Sequence, residues 1–408
     1  MLVDQLLTNV AQLVTPAGSG VVRGAAMKHL HVIRDAAIAI TAGRIVWRGH
    51  RNEFTGSSRT EIDAQGCAVV PGLVDPHTHV VWGGDRLADF DARSSGVSYE
   101  NILASGGGIR QTVAQTNASD ELALQASAMQ RLQRMMRAGA STIEIKSGYG
   151  STWMGESRQL DVIRALSFRV PARLAATMLF HVPPADESAR VAYIREAVRD
   201  WIPSLARDDR ATAIDVFIER EAFSLAEADL LMRAARQEGL ACKAHADQFT
   251  AIGATELAIA HGALSVDHLE ASGPRQITAL AESATVGVLL PGVTLHLGLP
   301  AAPGRALVDA GAAVAVGTDC NPGSSPLFSM SLALALAVRL NGLTPAEALT
   351  AATANAAAAL HMADVGRIAP GMSADLLILR SADWRDLPYT LGDDAVGRVI
   401  IAGFELPS

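Results

Sequence analysis

"VVPGLVDPHTHVVWGGDR", residues 69–86, decides how this chain is read. An apolar, strand-like run ends at Asp75, and two histidines one residue apart follow it. Side chains at i and i+2 of an extended segment leave the same face, so His77 and His79 can converge on one object. A metal ion is the natural candidate, and the remaining ligands must then come from distant parts of the chain.

Outward from this stretch, the run "GLVDPHTH" is the first of a series. "STIEIKSG", "RLAATMLFH", "AIDVFIER", "ACKAHAD", "LSVDHLE", "TVGVLLPG" and "AVAVGTDC" follow it, separated by amphipathic segments. One of these, "SDELALQASAMQRLQRMMRAG", reads as a helix with Ser119 as N-cap and Gly139 as terminator. Eight strand–helix units predict an α/β fold of the (β/α)8 barrel type, and no GxGxxG turn favours an open doubly wound sheet. Shorter alternating runs before about residue 70 and after about residue 364 predict strands of a small β-sandwich built from both termini. The expected division is therefore 1–70 with 364–408 for the sandwich and 71–363 for the barrel.

A barrel demands that its chemistry lie at the C-terminal ends of the strands. His77 and His79 end the first run, His181 the third, His245 the fifth, His268 the sixth and Asp319 the eighth. Taken singly, a strand-end histidine is usually structural and Asp319 could simply cap a turn. Their common placement is what predicts a metal centre. Lys146 reads equally as a catalytic group or as an inward lysine paired with Glu144, and is not counted in the site.

Composition narrows the partners. With 408 residues, 49% of them hydrophobic, the chain can bury a large core. A net charge of −8 offers no basic face to nucleic acid or to a membrane surface, so a small molecule is the expected partner. No apolar run reaches the roughly 18 residues of a membrane helix. Cys67, Cys242 and Cys320 are few and widely spaced, which fits a reducing compartment. No basic leader precedes an apolar stretch at the start, and the expected location is cytoplasmic.

"PGLVDPHTH", "AHAD", "DHLE" and "GTDCNPGSS", with "TAATANAAAALHMADVGRIAPGMSADLLIL" near the end, resemble the metal-dependent amidohydrolase superfamily. "GGDR", "ASGGGIRQT", "IEIKSGYG", "HADQF", "LLPG" and "NPGSSP" resemble its imidazolonepropionase family more particularly. The resemblance implies one divalent metal, zinc first and iron as the alternative, held by His77, His79, His245 and Asp319. It further implies proton transfer by Asp319, polarisation of a carbonyl by His268 and an orienting role for Gln248. Substrate contacts are implied for Arg86, Tyr99, Tyr149, His181, Gln248, Asn321, Gly323 and Ser324. The implied reaction opens 4-imidazolone-5-propanoate, a small anionic ring, to N-formimidoyl-L-glutamate, and the implied assembly is a homodimer. "TMLFHVPPADE" is shorter than the family pattern around His181, which leaves a hydantoin or thiohydantoin propanoate, or a deamination, as alternative chemistries.

Overall fold

The computed structural model describes residues 1–98, 101–102, 105–392 and 395–407. Eight parallel strands run in chain order around one sheet: Leu73–Asp75, Ala140–Lys146, Arg173–Phe180, Ala213–Ile218, Ala241–Ala246, Ser265–His268, Val286–Leu289 and Ala313–Val316. The predicted barrel is present. Most strand residues are buried, as expected where helices cover the outer face and side chains fill the inner one.

The ring is completed just beyond its first and last strands. Thr78 and Cys320 form a parallel bridge, with the Asp319 N–H donating to His77 O at 3.0 Å and the His79 N–H to Cys320 O at 2.9 Å. Barrel closure therefore brings the two histidines and the aspartate together through the backbone itself.

The helices follow their local signals. Glu121–Arg137 buries Leu124, Ala128, Leu132 and Met135 along one stripe. Its N-cap is Asp120, which accepts from the Ala123 N–H, rather than the expected Ser119, whose hydroxyl donates back to Gln115 O. Ser119 is the C-cap of the preceding helix, Ile109–Ala118, so Asp120 is the residue left to cap the next one. Leu225–Gln237 begins with the reciprocal Ser224–Glu227 capping box.

Both termini build one mixed sheet, with strands from Leu2–Pro16 to Ala68–Pro71 joined by Leu376–Leu379, Val396–Ile401 and Phe404–Glu405. Leu2–Pro16 pairs antiparallel with Leu30–Thr41 along one edge, and along the other with Ser57–Asp63 near its start and Ala68–Pro71 near its end. Leu7, Val10, Leu13, Ile38, Val69, Leu376, Ile378 and Ile400 fill its core. The hairpin of Leu30–Thr41 and Arg44–His50 turns at Ala42 and Gly43, both at positive φ, and a Cβ at Gly43 would stand 2.6 Å from Ala402 O. Among the described residues no helix is long and apolar enough to cross a membrane.

Candidate active site

The inner faces of the second, fourth, fifth and sixth strands carry charge. Residues i and i+2 put Glu144 with Lys146, and Lys243 with His245, on common faces. Lys146 Nζ lies 2.8 Å from Glu144 Oε2 and 2.7 Å from Asp215 Oδ2, while Lys243 Nζ lies 2.9 Å from Glu144 Oε1. Lys243 also donates to Pro76 O at 2.9 Å, gripping the backbone immediately before His77. All these groups are buried, so their charges survive only because they are paired. Burial works against the charge of Lys146, but Asp215, Glu144 and Asp267 outweigh it and hold the ammonium above its ordinary range.

On this ionic floor stand the histidines. His77 Nδ1 donates to Asp267 Oδ2 at 2.5 Å, and His245 Nδ1 to Asp215 Oδ1 at 3.0 Å. A carboxylate on Nδ1 fixes the tautomer and leaves Nε2 as the coordinating atom. Ser265 Oγ and the His245 N–H orient the two carboxylates in turn, donating to Asp267 Oδ1 at 2.6 Å and Asp215 Oδ1 at 3.1 Å. Burial opposes ionisation of both aspartates, yet the nearby cations keep them well below the usual carboxylate range.

His77 Nε2 and His79 Nε2 lie 3.3 Å apart, and Asp319 Oδ1 lies 3.3 Å from the first and 3.1 Å from the second. Bonds of about 2.0–2.1 Å at tetrahedral angles put donor atoms roughly 3.3–3.4 Å apart, so this spacing fits ligands shared by one ion. His245 Nε2 is buried without a hydrogen-bond partner, and its ring centroid is 4.4 Å from that of His77. His77, His79 and His245 form one potential metal-holding group, and His77, His268 and Asp319 another. Burial depresses the His245 imidazole to about 3, against the pull of Asp215, and so keeps it a neutral donor. Burial also resists ionisation of Asp319, but its contacts with His77 and His79 hold it well below the ordinary value.

Asp319 is itself held. Asn321 Nδ2 donates to its Oδ2 at 2.9 Å and Ser324 Oγ to the same atom at 3.2 Å. Asn321 Oδ1 meanwhile accepts from the Gly323 and Ser324 N–H groups at 2.8 Å. Asp319 (φ 52) and His268 (φ 87) both occupy the left-handed region, an uncommon conformation for side-chain-bearing residues that tends to collect at functional sites.

His181 stacks on His79 at 5.6 Å between centroids, and Tyr149 lies 5.8 Å from His181. The short segment after the third strand thus leaves this histidine inside the cluster. Arg86 Nε pairs with Asp89 and Nη1 donates to Thr112 Oγ1 at 3.2 Å. A Cβ on Gly323 would stand 3.3 Å from Arg86 Nη1, so the absent side chain lets the guanidinium reach the loop that bears Asn321 and Ser324. Gln248 is half-buried on the turn after the fifth strand and makes no hydrogen bond within the protein among the described residues. Tyr99 lies outside the described residues.

Sequence reasoning missed Asp215, Asp267 and Lys243. Their signal was present: each interrupts an apolar barrel strand with a buried charge, and Lys243 and Asp267 also stand two residues from another polar group, His245 and Ser265 respectively.

Residues 68–404 match the model of the amidohydrolase family. The chain is 58% identical over 400 residues to imidazolonepropionase of Deinococcus deserti, covering 98% of this chain and 99% of that one. It is 54% identical to imidazolonepropionase of Deinococcus radiodurans, covering 99% and 100%, and 45% identical to that of Chloroflexus aggregans, covering 98% and 97%. Among solved structures, a triazine hydrolase variant superposes with a TM-score of 0.74 at 18% identity, covering 98% of this chain and 94% of that one. A zinc-bound adenosine deaminase from Xanthomonas campestris superposes at 0.70 and 20% identity, covering 99% and 93%. At such identities these two structures bear on the fold alone.

Proposed function

This chain belongs to the imidazolonepropionases of the amidohydrolase family, and on that premise we propose that it hydrolyses 4-imidazolone-5-propanoate to N-formimidoyl-L-glutamate. The observation that carries the reading is the closely spaced His77, His79 and Asp319 donor set with the Arg86 guanidinium beside the same loop. His77, His79, His245 and Asp319 would hold one divalent ion, and three imidazoles with one carboxylate suit zinc. When bound, such an ion lowers the pKa of its water from 15.7 toward roughly 7, supplying a nucleophile at neutral pH.

The protein's own residues complete the reaction. Water adds to the lactam carbon, the C–N bond breaks, and the freed nitrogen takes up a proton. Asp319 accepts the water's proton and delivers it to that nitrogen, with Asn321 and Ser324 fixing the carboxylate for the transfer. His268 stands beside this group, and which of its nitrogens carries hydrogen decides whether it donates to the developing oxyanion or accepts a proton. Gln248, an amide, can orient substrate or water but cannot serve as a base. Tyr149 and His181 flank His79 as walls for the ring. Arg86 grips the propanoate with a guanidinium that Asp89 and Thr112 hold in place. Residues 71–363 form the catalytic unit, with 1–70 and 364–408 as its support.

Steady-state assays on imidazolone propanoate, on hydantoin and thiohydantoin propanoates and on a neutral ring test this reading. Imidazolone propanoate should be the best substrate. Arg86→Met should raise its KM by the loss of about 1.5–3 kcal/mol of charged hydrogen bonds, with Arg86→Lys restoring only part because a point charge lacks the bidentate fork. Preference for the neutral ring, with Arg86→Met changing nothing, would overturn the anionic substrate.

A further inference from the structure

Three buried histidines at the barrel mouth face a carboxylate through Nδ1. Asp267 meets His77 at 2.5 Å and Asp215 meets His245 at 3.0 Å. The third pair is wider: Glu270 Oε2 lies 3.5 Å from His268 Nδ1, with both side chains only 3% exposed. Neither Glu270 oxygen has a hydrogen-bond partner, and neither does His268 Nδ1. A carboxylate shut away from water with both oxygens unmatched is unusual and calls for a reason.

The backbone points to one. His268 and the next residue, Leu269, have φ of 87° and 72°. A left-handed conformation is a genuine outlier for a bulky side chain such as leucine, and here two consecutive residues adopt it at a strand end. The resulting twist brings Glu270 beside the His268 ring. Such strain persists where surrounding structure enforces it, commonly at active sites.

We propose that Glu270 is a positioning residue that accepts the Nδ1–H of His268 and so leaves Nε2 as the ring's lone-pair nitrogen. His268 belongs to the group whose potential ligand atoms, with those of His77 and Asp319, lie within 4.8 Å of one another. A neutral ring in this tautomer accepts a proton at Nε2 and cannot donate to the substrate carbonyl. His268 then shares proton transfer with Asp319 instead of polarising the oxygen. The wide 3.5 Å approach fits a contact that tightens in the substrate complex. The assignment rests on the reading of His268 as a group that acts on the lactam.

The test uses zinc-loaded protein with ¹⁵N-labelled histidine, and the His268 signals are identified by their loss in His268→Asn. The parent and Glu270→Gln, which retains an acceptor oxygen, should show the Nδ1–H tautomer, and Glu270→Leu the Nε2–H form. In kinetics Glu270→Leu should lower kcat by about 10- to 100-fold, the usual cost of removing a histidine's orienting partner, while KM and metal content hold and Glu270→Gln recovers most of the loss. An Nε2–H ring in the parent, an unchanged tautomer in Glu270→Leu, or an unchanged kcat in that variant would overturn the role of Glu270. Full turnover by His268→Asn would instead remove His268 from the reaction, and the tautomer measurement would still decide whether Glu270 orients it.

Discussion

Asp319 joins three separate constraints. Its Oδ1 faces the Nε2 atoms of two histidines, its Oδ2 accepts from Asn321 and Ser324, and its backbone N–H closes the barrel onto His77 O. A carboxylate so immobilised loses little freedom when it begins to move a proton, the condition for effective general acid–base catalysis. Asp319→Asn preserves an oxygen donor and nearly the same shape but removes the base. Turnover should fall by roughly 10²–10⁴. Elemental analysis alongside kinetics makes the test clean: near-parental turnover by a metal-retaining Asn variant would move the proton to His268.

At the level of the element, the second, fourth and sixth strands supply the ionic floor and the first and eighth strand ends supply proposed donors, while the fifth strand does both, with Lys243 in the floor and His245 as a proposed ligand at its end. Lys146 is the centre of that floor, fully buried and within 3.7 Å of carboxyl oxygens from Glu144, Asp215 and Asp267. Removing one member of a buried charge cluster leaves the others uncompensated, which costs about 3–5 kcal/mol. Lys146→Met should therefore lower the unfolding free energy by about that amount in denaturant titration of the metal-free protein. A loss within about 0.5 kcal/mol, the range of ordinary surface substitutions, would mean that the three carboxylates do not depend on the lysine.

Across the whole molecule, the proposed metal site predicts a link between metal binding and folding. The donors come from the first, fifth and eighth strand ends, so an ion bound by His77, His79, His245 and Asp319 ties together both edges of the barrel seam. Chelation should lower Tm, since an ion at 100 times its Kd contributes about 2.7 kcal/mol to the folded state. The pH dependence has a defined sign. In the metal-free protein burial and the Lys146 charge oppose protonation of His77, but Asp267 and Asp319 prevail and raise it to about 9. Below that pH an entering ion must displace the proton, so apparent affinity should fall as the pH drops from about 9 toward neutrality. Competition against a chromophoric chelator measures it, and a pH-independent Kd across that interval would show that His77 is not a ligand.

The order of short apolar runs and amphipathic segments was sufficient to indicate a barrel, because periodicity and strand–helix alternation are local properties of the chain. The same logic placed His77, His79, His181, His245, His268 and Asp319 at strand ends, where a barrel gathers its chemistry. The partners of those residues were beyond local reading. Asp215 and Asp267 stand 30 and 190 residues from the histidines they orient, and nothing in either flanking run names the other. Glu270 is close to His268 in sequence, yet only the left-handed turn between them makes it a neighbour of the ring. The residue types and their order determined the fold and the candidate ligands; closure of the barrel decided which nitrogen of His77 and of His245 faces the site, because a tautomer is set by whatever buried group stands opposite.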